Sequence, residues 1–203
     1  MMKSSQHIKA WTSSLFLRGV AMKLDNQLWH FAVDFYGRPG VSEACLTMQN
    51  EAKLDVANLI AVIYADIALQ QPLSATEIGQ LCDLTSTWHI SVVLPLREVR
   101  TSLKDPTAGF PSEKEALRER VKANELKAEQ LQLRMVEEWL DARVPQSGLQ
   151  LSDAQLTLLR LYEYPEGSAE RMDSALATIT AAANAWTEER TRRMHSAELF
   201  LPH

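Results

Sequence analysis

The sequence predicts an all-α protein: a compact multi-helix core with a C-terminal helical extension that includes one long amphipathic helix. Apolar residues recur at 3-and-4 spacing along most of the chain, helix-start signals precede several of those stretches, and strand-like alternation is scarce. With 203 residues, the chain is long enough to bury a core without disulfides or metal staples.

The first clear helix follows Asp25. At 100° per residue, Leu28, Trp29, Phe31, Ala32, Phe35 and Tyr36 share one broad face, while His30 and Asp34 fall opposite. Gly37 and Pro39 stop it and make a corner, with Arg38 expected to be exposed between them. A second helix begins near Val41 and turns Val41, Ala44, Cys45, Met48 and Ala52 inward. The third, LDVANLIAVIYADIALQ, is apolar almost all round, as a centrally buried helix is, and Asp55 is placed to cap it. Asp66 lies deep in the same run, where a carboxylate needs a partner or a route to water.

Pro72 breaks the chain, and Ser74 with Glu77 forms a capping box for a fourth helical region running to about Lys104. Pro95 should kink or divide it. Residues 105–112, DPTAGFPS, read as a linker, after which Ser112 and Glu115 are placed to cap a long helix over 113–143. Its expected inner face is Leu117, Val121, Asn124, Ala128, Leu131 and Met135, at coiled-coil-like steps. Beyond a loop at 146–151, Ser152 and Gln155 cap a short helix. YPEGS at 164–168 then leads to a final helix with Met172, Leu176, Ile179, Ala183 and Trp186 on one face, and a mixed-charge tail expected to fray.

Composition excludes several function classes. The 21 basic and 26 acidic side chains give a net charge of −5, which lacks the electrostatic footprint of a general nucleic-acid binder. Cys45 and Cys82 have neither CxxC spacing nor histidine company, so no zinc site is built on them and a reduced, cytoplasmic compartment is expected. No apolar run reaches the roughly 20 residues that span a bilayer, and the basic N-terminal stretch, interrupted by Arg18, is not expected to act as a signal peptide. No metal or cofactor is implied.

Some chemically suggestive groupings dissolve on inspection. His30 and Asp34 are four apart on a polar face, but spacing supplies no third or fourth metal ligand. A Cys45 and His30 dyad would require Cys45 to leave its apolar face. LSATEIGQLCDLTSTWHISVV has a helix-turn-helix outline, yet Trp88, Ile90, Val92 and Val93 make its second helix a core element rather than a reader of base edges. The best cationic stripe is Arg97, Arg100 and Lys104. It suits a phosphate or carboxylate, a solvated face, or clamps on Asp55 and Asp66.

LWHFAVDFYGRPGVSEACL, then LDVANLI, then WHISVVLPLREVRTSLK follow one another in order. These blocks resemble a proteobacterial family of small proteins of unknown function, whose members read LW-FA-DFY-RPGV-ACL, DVN-LL and W-VV-PLR-R-LK. The resemblance covers about residues 23–105 and implies no activity, cofactor or catalytic residue. It suggests a start near Met22, so the expected organisation is a leader or misannotated extension over 1–22, a helical core over 23–105, and a C-terminal helical region over 106–203. Lys53 stands where the family often has glycine, and Asp66 falls where an aromatic tends to occur.

With no P-loop, nucleophile elbow or zinc signature, catalytic residues are unassigned and enzymatic status stays open. The leading expectation is a cytoplasmic, non-enzymatic interaction or regulatory module with a protein partner or homodimer on the 113–143 helix. The alternative is an anionic-ligand site between helices built from Arg97, Arg100, Lys104, Asp66 and Tyr36.

Overall fold

The computed structural model describes residues 26–105, 109–144 and 168–198. These are helical, with no strand among them: α1 (Gln27–Tyr36), α2 (Val41–Ala52), α3 (Val56–Ile63), α4 (Ala75–Trp88), α5 (Leu94–Ser102), α6 (Pro111–Ala142) and α7 (Ala169–Glu198). The expected leader at 1–22 and the short helix after Ser152 lie outside the described residues.

Local signals place the early elements. Asp55 caps α3 by accepting the Ala57 amide at 3.0 Å. The Ser74 and Glu77 box is reciprocal: Ser74 N–H donates to Glu77 Oε2 at 2.8 Å, and Glu77 N–H donates to Ser74 Oγ at 3.3 Å. Each of the six residues assigned to the inner face of α1, and each of the five assigned to α2, is buried.

Three features differ from expectation and one meets it. The α3 run widens into a π-helical turn at Tyr64–Ala68, where Leu69 N–H reaches Tyr64 O, and a second π turn, His89–Val93, joins α4 to α5. Pro95 divides the helical run, as expected: the π turn at His89–Val93 ends just before it, and Pro95 lies in the first turn of α5. Ser112 is not the cap of α6, which begins at Phe110 in a left-handed conformation with Pro111 next. The inner face of α6 is also rotated: Glu125, Ala128, Gln132, Leu133, Val136 and Leu140 are buried, whereas Leu117 and Asn124 are exposed and Leu131 and Met135 half-exposed.

The contacts divide the described residues into two units, 26–30 with 79–144 and 31–78 with 168–198, with boundaries inside α1 and α4. In the first unit α5 and the His89–Val93 turn pack on α6, and Trp88 Nε1 donates to Ala128 O at 3.0 Å. In the second unit α7 lies along α2 and touches the Tyr64–Ala68 turn. Phe31 centres this packing, stacked on Phe35 at 5.4 Å, tilted to Tyr64 at 5.2 Å and edge-on to Trp186 at 5.3 Å.

Candidate functional site

Arg97 and Arg100, three apart on α5, face Glu125 and Glu129, four apart on α6. These spacings put each pair on one side of its helix, so a packed helix pair can interleave them. Arg97 Nε donates to Glu125 Oε1 at 2.9 Å and its Nη2 to Glu129 Oε1 at 2.6 Å. Arg100 donates through Nε to Glu125 Oε2 and through Nη2 to Glu125 Oε1, the latter at 3.1 Å. Burial works to raise the Glu125 pKa, but the hydrogen bonds from Arg100 and Arg97 outweigh it and hold the carboxyl below its usual range. The two cations least easily explained by sequence alone therefore sit on internal carboxylates, and those are Glu125 and Glu129.

Lys104 is exposed on the rim of an open hollow of about 370 Å³ that also includes Leu103, Pro111 and Arg118. Charges around it are already engaged: Lys114 Nζ donates to Asp105 O, and Arg118 forks onto Glu115 at 2.7 and 2.6 Å. Tyr36 and Asp66 belong to the other unit and are buried, Asp66 to 1% exposure. Thus the five expected site residues include one contacting group, Arg97 and Arg100, joined through Glu125. Among the described residues no group of three or more His, Cys, Asp or Glu side chains is placed to hold a metal ion. Burial pushes the Cys45 thiol up to about 12, which leaves it unreactive at neutral pH.

A second cluster escaped the sequence reading. Arg38 is not exposed between Gly37 and Pro39: its guanidinium forks onto Glu189 of α7 at 3.3 and 2.9 Å and lies 3.5 Å from Asp34. Trp186 Nε1 donates to Asp34 Oδ2 at 3.1 Å, and Arg190 stacks 5.7 Å from the Trp186 ring centroid. Arg190 Nη1 also donates to the carbonyls of Ile67 (3.0 Å) and Ala68, satisfying acceptors left at the end of the π turn. A hollow of about 200 Å³ lies among Asp34, Arg38, Trp186, Glu189, Arg190 and Arg193. Glu189 and Arg190 belong to the stretch expected to fray, yet α7 continues to Glu198. Extending the Ile179, Ala183, Trp186 period by four residues reaches Arg190, the one signal that pointed there.

Among the described residues, fold and site define an all-helical protein in which ion pairs between helices join Arg97 and Arg100 to Glu125 and Glu129, and Arg38 to Glu189. Residues 27–136 match the family model described as "Protein of unknown function (DUF2390)", more than half of the chain, and the chain belongs to that family. No curated protein and no solved structure matches it. No helix among the described residues is long and apolar enough to cross a membrane.

Proposed function

We propose that the chain is a cytoplasmic, non-enzymatic interaction or regulatory module whose partner surface is the outer side of α6. The observation that carries this reading is the misfit between the α6 apolar stripe and its buried face. Leu117, Val121, Leu131 and Met135 keep a 4-and-3 related spacing, yet none is fully buried, and Leu117 is 49% exposed. Large apolar side chains left outside a packed face are what a partner helix or a second copy covers. The same unit also exposes Ile90, Val99 and Phe110.

The alternative, a small anion gripped by Arg97 and Arg100, has less to rest on because both guanidiniums already bond carboxylates. An anion would have to displace Glu125 or Glu129 and leave it without compensation.

The test is affinity capture from native lysate together with sedimentation analysis, comparing the intact protein with a Leu117→Asp, Val121→Asp variant. A reproducible partner or self-association lost in the variant, with unchanged melting, supports the reading. No partner and no self-association with either protein sinks it, as does an interaction indifferent to the substitutions.

A further inference from the structure

We propose that α5 and α6 together form the docking face, and that its partner is an acidic amphipathic helix rather than a second copy of this chain. The inference rests on the α6 reading above and names the partner's chemistry.

The face follows from the seam between the two helices. Arg97 and Arg100 of α5 meet Glu125 and Glu129 of α6, so these residues mark the sides that look at each other. At about 100° per residue, Leu96, Val99 and Leu103 fall about a quarter-turn to one side of the seam on α5. On α6, Leu117, Val121, Leu131 and Met135 fall about a quarter-turn from it in the same rotational sense. The helices run antiparallel, with Arg97 beside Glu129 and Asp105 beside Lys114. Equal offsets on antiparallel neighbours lie on the same face, so the two stripes make one apolar surface. That surface stays open: Val99 and Leu117 are 47% and 49% exposed, and the other five are half-exposed. No side chain of α5 is buried, nor any of α6 before Glu125. A two-helix layer of this kind completes its packing when a third helix lies in the groove.

Charge selects the occupant. Arg120, Lys127 and Arg134, at steps of seven, line the outer edge of the α6 stripe, opposite the seam. Glu138 takes Arg134 at 2.8 Å, but among the described residues Arg120 and Lys127 make no ion pair, and Lys127 reaches the Gln130 amide oxygen at 3.5 Å. The row turns acidic beyond them, at Glu113 and Glu138, and the far edge on α5 carries Pro95, Glu98 and Ser102. A second copy fits this pattern badly. The antiparallel register that lays Leu117 on Met135 and Val121 on Leu131 sets Lys127 beside its counterpart and Arg120 beside Arg134, like charge on like. The parallel register offers Arg120 the Glu125 carboxylate, which Arg97 and Arg100 already hold. The occupant is instead a helix with an apolar face and carboxylates two turns apart along one edge, matching the rise of about 10.5 Å from Arg120 to Lys127.

The experiment uses the full chain and two fluorescein-labelled helical peptides of about 21 residues, alike in their heptad leucines and differing in one flanking position, Glu in one and Lys in the other. By anisotropy at low ionic strength, the Glu peptide should bind saturably and at least about tenfold tighter than the Lys peptide, the margin shrinking as salt is raised. Arg120→Glu with Lys127→Glu should reverse the preference without changing the melting temperature, and Leu117→Asp with Val121→Asp should weaken both peptides. If the charge reversal lowers the melting temperature, Arg120→Gln with Lys127→Gln replaces it and should erase the preference. Equal binding, a preference for the Lys peptide, or a Glu preference indifferent to Arg120 and Lys127 overturns the inference. Should sedimentation then show self-association that Leu117→Asp with Val121→Asp abolishes, the α6 reading stands with a second copy as its partner. Neither peptide binding at up to about 1 mM nor self-association overturns both.

Discussion

Glu137 Oε1 accepts the backbone N–H of Leu28 at 2.9 Å across 109 residues of sequence, so the first turn of α1 is capped by a side chain from α6. Asn26 Oδ1 caps the neighbouring Trp29 amide at 2.7 Å. Both groups of the Leu28 bond are buried, and an amide left without its acceptor there costs more than an ordinary surface bond. Glu137→Ala is expected to lower stability by about 1–3 kcal/mol. Glu137→Gln keeps an acceptor of the same reach and should lose less. Urea titration followed by circular dichroism distinguishes them, and equal losses would show that the carboxylate charge, not the cap, matters.

Glu125 is the deeper ionic commitment. Its side chain is 7% exposed and those of Arg97 and Arg100 are 16% and 21% exposed. Removing one member leaves the others desolvated without compensation, so Glu125→Ala should cost about 2–3 kcal/mol, below the range for fully buried pairs because the arginines retain some water. The pH dependence has a definite sign. Despite burial, bonds from Arg100 and Arg97 depress the folded-state pKa below the usual 4.5, so the stabilisation is present above about pH 4.5 and is lost as pH falls through the folded value. Thermal melts between pH 6 and 3 (about that range) should show an acid loss that shrinks in Glu125→Gln. An unchanged acid slope would mean that other carboxylates carry it.

These two contacts also show where sequence reading stops. The Asp55 cap and the Ser74 and Glu77 box connect residues two and three apart, so local spacing reveals them. The inner faces of α1 and α2 are legible because their apolar residues keep one phase. On α6 the buried face includes Glu125, Gln130, Gln132 and Glu137, polar side chains that periodicity assigns to solvent. Their burial depends on partners such as Arg97 and Leu28, which lie far away in sequence. The π turns leave no compositional mark, because widening one turn changes hydrogen-bond connectivity and not residue type. Arg38 is illegible locally for the same reason as Glu125: its position between a glycine and a proline says nothing of Glu189, 151 residues on.

Cys45 provides a test of the α2 phase. It is fully buried, and burial pushes its thiol up to about 12, so almost no thiolate exists at neutral pH. Maleimide labelling of native protein at pH 7.5 (about neutral) should leave Cys45 unmodified, and it should label on denaturation. Peptide mapping then separates it from half-buried Cys82. Native labelling of Cys45 at the denatured rate would mean that α2 is not packed as described.

Gly40 combines two constraints that mutation can separate. Its φ of 79° lies in the left-handed region, and an added Cβ would sit 3.0 Å from Thr178 Cγ2. A left-handed alanine costs about 1–2 kcal/mol from the backbone alone, and the close methyl adds to it. Gly40→Ala should therefore destabilise by at least that amount. Thr178→Ser removes Cγ2 while keeping the hydroxyl that donates to Ser174 O at 3.0 Å, so in the Gly40→Ala background it should recover the steric part and leave the conformational part. A double-mutant cycle in urea measures the coupling between the two positions. Zero coupling would show that α7 yields freely at Thr178, leaving backbone conformation as the whole reason for glycine at this corner.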